Sequence, residues 1–170
     1  SFNDGTIIRY NIFESNNHHI VRNSGSTTNT KIYNNIFFAG VEQDSVLLVY
    51  HKSWGGYSNT TSYMNNIFYS LGEGNWFDLG KSTNNTFRAN TFYGTIKNEP
   101  EDLEKSKENP LFVNANASQA SWKSYLRFML QNESPEIDKG TDIKGHPMED
   151  FLGNPIIGKP DRGVFEKNNH

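Results

Sequence analysis

Four short segments of this chain repeat one another: Ile8-Arg9-Tyr10-Asn11-Ile12-Phe13, Ile32-Tyr33-Asn34-Asn35-Ile36-Phe37, Tyr63-Met64-Asn65-Asn66-Ile67-Phe68 and Phe87-Arg88-Ala89-Asn90-Thr91-Phe92. In each, an apolar residue stands three places before an Asn and a Phe two places after it, and the Asn residues are spaced by 24, 31 and 24. Periods above ~20 residues specify a solenoid, in which each repeat buries its apolar face against its neighbours. Helical repeats need apolar residues at i, i+3, i+4 and i+7 over ten or more residues. These segments are too short, too β-branched and too broken by Asn and Gly for that. Short strands joined by tight bends remain. Asn tolerates the left-handed backbone, so the repeating Asn is expected at the bend. Stacked coil on coil, Asn11, Asn35, Asn66 and Asn90 should form a hydrogen-bonded ladder, with Phe13, Phe37, Phe68 and Phe92 as an aromatic column beneath it.

Composition decides between this and disorder. Only 34% of the 170 residues are hydrophobic and 23 are Asn, yet 14% are aromatic, including 12 Phe. Disordered chains are polar but poor in aromatic rings. The net charge of −3, without a basic run, argues against a nucleic-acid binder. No apolar stretch approaches the ~20 residues of a membrane span. Cysteine is absent, which removes disulfides and thiolate metal sites. The expected architecture is all-β: a solenoid of about four coils over 1–98, a charged linker at 99–108 and an irregular capping segment over 109–170. Within the cap, Tyr125–Leu130 reads as a strand. The 31-residue spacing places an insertion of about seven residues in the coil that holds Trp54-Gly55-Gly56-Tyr57-Ser58-Asn59.

The repeat resembles the right-handed parallel β-helix superfamily, the pectate-lyase-like fold. The likeness extends into the tail. Asn109-Pro110-Leu111-Phe112 is similar to a D-P-L-F segment, and Leu130 to Gly140 to an L-x-x-x-S-P-A-I-D-x-G element in which Glu136 stands at the Ala position. Asp161-Arg162-Gly163-Val164-Phe165-Glu166 is similar to a closing D-I-G-A-x-E, with Arg162 replacing the apolar residue, and Gly153-Asn154-Pro155 sits where G-x-P-R is expected, with Ile156 for the Arg. The resemblance implies the C-terminal coils of a secreted or cell-surface bacterial protein that acts on polysaccharide, with further coils upstream. It brings no catalytic motif with it, and fold alone does not fix activity.

In the proteins this resembles, substrate lies across one sheet. The segments after each Phe, His18–Arg22, Val46–Lys52 and Trp76–Lys81, are expected to form that sheet. Aligning Lys52-Ser53 with Lys81-Ser82 turns Tyr50, Leu79, Leu48 and Phe77 inward and pairs Arg22 with His51, Val49 with Asp78 and Leu47 with Trp76 on the outside. A lyase acting on an anionic polysaccharide needs a base for the C5 proton and cations for the developing dianion. Lys52 is the first candidate base, with His51, Arg22 and Lys81 as partners; both lysines would serve equally as solvated, edge-protecting charges. A glycoside hydrolase needs paired carboxylates. Asp78 lies within the expected groove, with Glu73 and Asp44 in neighbouring loops, and a plain surface role accounts for it as well. Trp54, Tyr57 and Trp76 offer faces for sugar stacking, although Trp76 also fits a core position. His18-His19 lacks a third metal ligand at useful spacing. No cofactor is implied; calcium among groove Asp and Asn residues is an open option. A non-catalytic glycan-binding or adhesive β-helix and a structural cap for an upstream catalytic region stand as alternatives to cleavage.

Overall fold

The computed structural model describes residues 3–14, 18–117, 122–145 and 147–167. It is an all-β solenoid built from parallel strands, of about three turns rather than the four coils expected, because only two of its three sheets gain a strand from the fourth repeat. The strands are β1 (Asn3–Asp4), β2 (Ile7–Arg9), β3 (Ile12–Glu14), β4 (His19–Ser24), β5 (Thr27–Tyr33), β6 (Ile36–Ala39), β7 (Leu47–Lys52), β8 (Asn59–Met64), β9 (Ile67–Ser70), β10 (Trp76–Asp78), β11 (Thr86–Arg88) and β12 (Thr91–Gly94). They form three sheets. Sheet A holds β1, β2, β5, β8 and β11; sheet B holds β3, β6, β9 and β12; sheet C holds β4, β7 and β10.

The repeat sets the register of sheets A and B. Ile8, Ile32, Tyr63 and Phe87 are successive partners in sheet A, and Phe13, Phe37, Phe68 and Phe92 in sheet B. The four Phe rings stack with centroids 5.2, 4.6 and 5.2 Å apart. Phe68 has no exposed surface and also meets Phe77 edge-on, so its truncation to Ala should cost about 3–5 kcal/mol.

The Asn ladder forms as expected. Asn11 Nδ2 donates to Asn35 Oδ1 (3.1 Å), Asn35 Nδ2 to Asn66 Oδ1 (3.0 Å) and Asn66 Nδ2 to Asn90 Oδ1 (3.0 Å). The same oxygens also accept the backbone N–H of the preceding ladder Asn, at 3.0, 3.1 and 3.0 Å. Each buried amide is thereby satisfied, as a low-dielectric interior requires. The bend differs from expectation by one residue. The left-handed conformation falls on Tyr10, Asn34, Asn65 and Ala89, with φ between 50° and 54°. The ladder Asn comes next in the chain, which frees its side chain to run along the stack.

The stretch 99–108, expected as a charged linker, is largely exposed and also continues the solenoid. Ser106 bridges to Thr91 in parallel, as Lys97 just before the stretch does to Trp76. Asp102 is buried and ends the ladder: Oδ2 accepts from the backbone N (2.9 Å) and Nδ2 (2.9 Å) of Asn90, and Oδ1 from Ala89 N (3.0 Å). A carboxylate is a pure acceptor, so it closes a run of donors that all point one way.

The irregular C-terminal segment lies along the flank of the solenoid, over the outer face of sheet B. Phe38 and Tyr69 of that face pack against Phe112, Phe128, Leu130, Val164 and Phe165. The left-handed Asn pair ties it down: Asn34 Nδ2 donates to Asp161 O (2.9 Å) and Gly163 O (3.0 Å), and Asn65 exchanges hydrogen bonds with Thr141 (2.7 and 2.9 Å). Tyr125–Leu130, expected as a strand, lies mostly in a 3-10 helix, Trp122–Phe128. Tyr125 and Phe128, three residues apart, share one face of it. The seven inserted residues divide between two turns. Strand partners are 24 residues apart in β3–β6, 28 in β4–β7 and 31 in β5–β8, so four residues enter between β6 and β7 and three between β7 and β8.

Candidate functional site

Sheet B is covered on its outside. The outer face of sheet A presents Asn29, Lys31, Asn59, Thr86 and Arg88, and no exposed aromatic ring among the described residues. Sheet C is different. Its strands bring residues of three coils into rows across the outside. His19, Leu47 and Trp76 are consecutive partners, continued by Lys97; Arg22, Tyr50 and Asp78 form a second row; Ser24 pairs with Lys52 in a third. Adjacent strands lie about 4.8 Å apart, so the rows bring side chains from three coils within reach of one extended ligand.

This register corrects the expected one. Phe77 pairs with Val49 and Asp78 with Tyr50, because β7 carries an extra residue, Leu48, between the partners of Trp76 and Phe77. Such a bulge shifts everything after it by one place and so exchanges inside for outside. Tyr50, expected inside, is half-exposed and meets His19 with ring centroids 6.4 Å apart. Val49, expected outside, is fully buried. Leu47 and Trp76, which precede the bulge, are paired as expected.

His51 is the main correction among the candidate catalytic groups. It is buried, 1% exposed, and points into the solenoid. Its Nε2 shares a hydrogen bond with Tyr63 OH (2.7 Å), and its Nδ1 lies against Ser82 Oγ (2.8 Å) and Ser58 Oγ (3.0 Å). Burial pulls its pKa down to about 4, against an opposing pull from Asp78, so the ring is neutral at pH 7. It fills a polar gap in the core and has no access to a ligand on sheet C.

The other candidates divide between that face and its margins. Arg22 is exposed, and its Nε donates to Ser24 Oγ at 2.7 Å. Lys52 is exposed, diagonal to Arg22 across Tyr50. Asp78 is exposed, and its Oδ1 accepts from Gly80 N (2.9 Å), a turn contact. Asp44 and Glu73 lie together in the loops that precede β7 and β10, where Asp44 Oδ1 accepts from Glu73 N at 2.6 Å, whereas Asp78 ends β10. The Asp44 contact is to the Glu73 backbone, and the strand partner of Asp78 is Tyr50, not an acid. Trp76 is 39% exposed and Trp54, on the β7–β8 loop, 79%. Tyr57 is half-buried over Gly80, where a Cβ would come within 2.5 Å of its ring. Lys81 is exposed in the turn after β10, beside these rows. Within the rows, the three cations Arg22, Lys52 and Lys97 outnumber the single carboxylate, Asp78, a cationic strip on a chain of net charge −3.

Tyr50, Ser24 and Lys97 were missed in the sequence. Ser24 and Lys97 lie outside the Asn–Phe repeat, and the Leu48 bulge hid Tyr50. Among the described residues no group of three or more His, Asp or Glu is arranged to hold a metal ion, and no helix is long and apolar enough to cross a membrane. Compared with known proteins, the chain matches no family model and no curated protein.

Proposed function

We propose that this chain is part of a secreted or cell-surface carbohydrate-active β-helix protein, of the pectate-lyase-like kind, and that the outer face of sheet C holds an anionic polysaccharide. The observation that carries this reading is the alignment of Arg22, Tyr50 and Asp78 across three coils, flanked by Trp76 and Lys52. Rings that combine apolar area with a polar edge suit pyranose faces. Guanidinium and ammonium groups at strand spacing suit carboxylates along a chain. The tail elements similar to those of exported β-helix proteins support the same class.

Eliminative cleavage is a second reading, favoured by the diagonal placement of Lys52 and Arg22 about Tyr50. A base there would take the C5 proton while the guanidinium stabilises the carboxylate dianion; the C4–O4 bond then breaks with its electron pair on O4, which takes a proton from water, and a C4=C5 double bond forms. The test is incubation with a panel of anionic and neutral polysaccharides, following retention on immobilised protein, ultraviolet absorbance of unsaturated ends, and reducing ends. Retention of anionic polymers alone supports binding; absorbance lost in Lys52→Ala adds the lyase. Equal retention of neutral polymers contradicts both.

A further inference from the structure

Next to the cationic rows, where sheet C turns into sheet A, lies an open groove of about 750 Å³ lined by Asn3, Ser24, Ser26, Thr27 and Trp54, together with Gly25 and Gly55. None of these side chains is charged. The groove therefore differs in chemistry from the Arg22–Lys52 strip that it adjoins.

The two are physically joined. Ser24 lines the groove and accepts the hydrogen bond from Arg22 Nε (2.7 Å), and it is the strand partner of Lys52. The Trp54 ring is held out by a fixed turn. Lys52 O accepts from Gly25 N (3.1 Å), Trp54 N donates to Gly56 O (3.1 Å), and Ser26 Oγ donates to Gly55 O (3.1 Å). Gly56 has φ 143°, and a Cβ there would run into Ser26 Oγ, so the turn needs Gly at this position. An indole 79% exposed on a preorganised loop, facing hydroxyl and amide groups, is a ready stacking platform.

The geometry points to a neutral-sugar subsite on Trp54 next to the acidic-sugar subsite at Arg22 and Lys52, so that the preferred ligand is a polysaccharide in which a uronic acid adjoins a neutral pyranose. This inference rests on the proposed binding face and adds the composition of its ligand. The neutral residue lays its apolar face on the indole and its hydroxyls against Ser24, Ser26, Thr27 and Asn3. The uronate carboxylate meets the two cations. An all-acidic polymer would place an unpaired carboxylate over Trp54, where no cation answers it.

The test compares a short hyaluronan oligosaccharide, which alternates uronic acid and neutral N-acetylhexosamine, with an oligogalacturonate of equal length by calorimetric titration at fixed salt. Wild type should favour the alternating oligomer. Trp54→Ala should weaken it about tenfold and leave the oligogalacturonate almost unchanged; an exposed side chain makes this variant safe for folding, which an unchanged melting temperature checks. Should Trp54→Ala weaken both ligands alike or neither, while Arg22→Ala/Lys52→Ala abolishes binding, the neutral subsite is wrong and the binding face stands. Binding indifferent to Arg22→Ala/Lys52→Ala overturns the face and the subsite together.

Discussion

Glu136 and Arg162 form a buried ion pair, with Arg162 Nη1 3.2 Å from Glu136 Oε2 and neither residue more than 8% exposed in its side chain. The same carboxylate oxygen accepts from Thr91 Oγ1 at 2.6 Å, and the guanidinium also donates to Lys139 O (3.1 Å) and Glu104 O (2.6 Å). These are two of the positions at which the tail departs from the pattern it resembles, an Ala and an apolar residue there. The departures occur together because each charge is tolerable only beside the other.

That relationship gives a double-mutant cycle. Glu136→Ala alone strands a buried guanidinium, and Arg162→Ile alone strands a buried carboxylate; each should cost about 3–5 kcal/mol. The double variant restores an apolar contact and should cost much less than the sum. Urea denaturation of the four proteins measures the coupling, and additive losses would refute it.

The ladder ends on a charge, and the charge matters. In Asp102→Asn one acceptor oxygen becomes an NH2 group facing the N–H donors of Ala89 and Glu104 or those of Asn90. The expected loss is about 2–3 kcal/mol, since hydrogen bonds to a carboxylate are among the stronger ones. The variant should unfold at lower urea concentration with an unchanged slope. Equal stability would mean that the last coil is not held through Asp102.

The C-terminal segment should loosen at alkaline pH. Burial, reinforced by Asp161 nearby, pushes Glu166 up to about 8; burial likewise lifts Asp161 to about 6, against the hydrogen bonds it accepts from Asp138 N and Lys167 N. Asp150 and Asp138 add further negative charge, and among the described residues no ion pair engages any of these four carboxylates. The folded state keeps a proton that the unfolded chain has released. This stabilisation is complete below the ordinary glutamate value and is lost as pH rises to about 8. Glu166→Gln should therefore melt several degrees above wild type at about pH 9 and close to it at about pH 4. A constant difference across that range would contradict the assignment.

His51 acts at the other end of the scale. Its folded pKa of about 4 lies below its ordinary 6.5, so the unfolded chain takes up a proton first as pH falls. The contribution is present above about 6.5 and is lost as pH falls toward 4. Its imidazole resonances in NMR should still report a neutral ring at about pH 5; a midpoint near 6.5 would place His51 in solvent.

Sheets A and B were legible in the sequence because the repeating side chains are the contacts themselves. Asn35 bonds Asn66 and Phe37 stacks on Phe68, so the marker and the interaction coincide. Sheet C has no such marker, and one bulged residue, Leu48, was enough to turn His51 inward and Tyr50 outward. The flank position of the tail rests on contacts such as Asn34 to Asp161, 127 residues apart, which no local pattern announces. Asp102 sits among Glu and Lys residues that are mostly exposed, and full burial separates it from them.

The most direct measurement is the affinity of the purified protein for an anionic polysaccharide such as polygalacturonate at several salt concentrations, for wild type and for Arg22→Ala/Lys52→Ala. Both residues are exposed, so the variant should fold with an unchanged melting temperature. The expected result is salt-sensitive binding that falls at least about tenfold in the variant, with neutral dextran bound far more weakly and equally by both proteins. Undiminished binding in the variant would contradict a role for the outer face of sheet C.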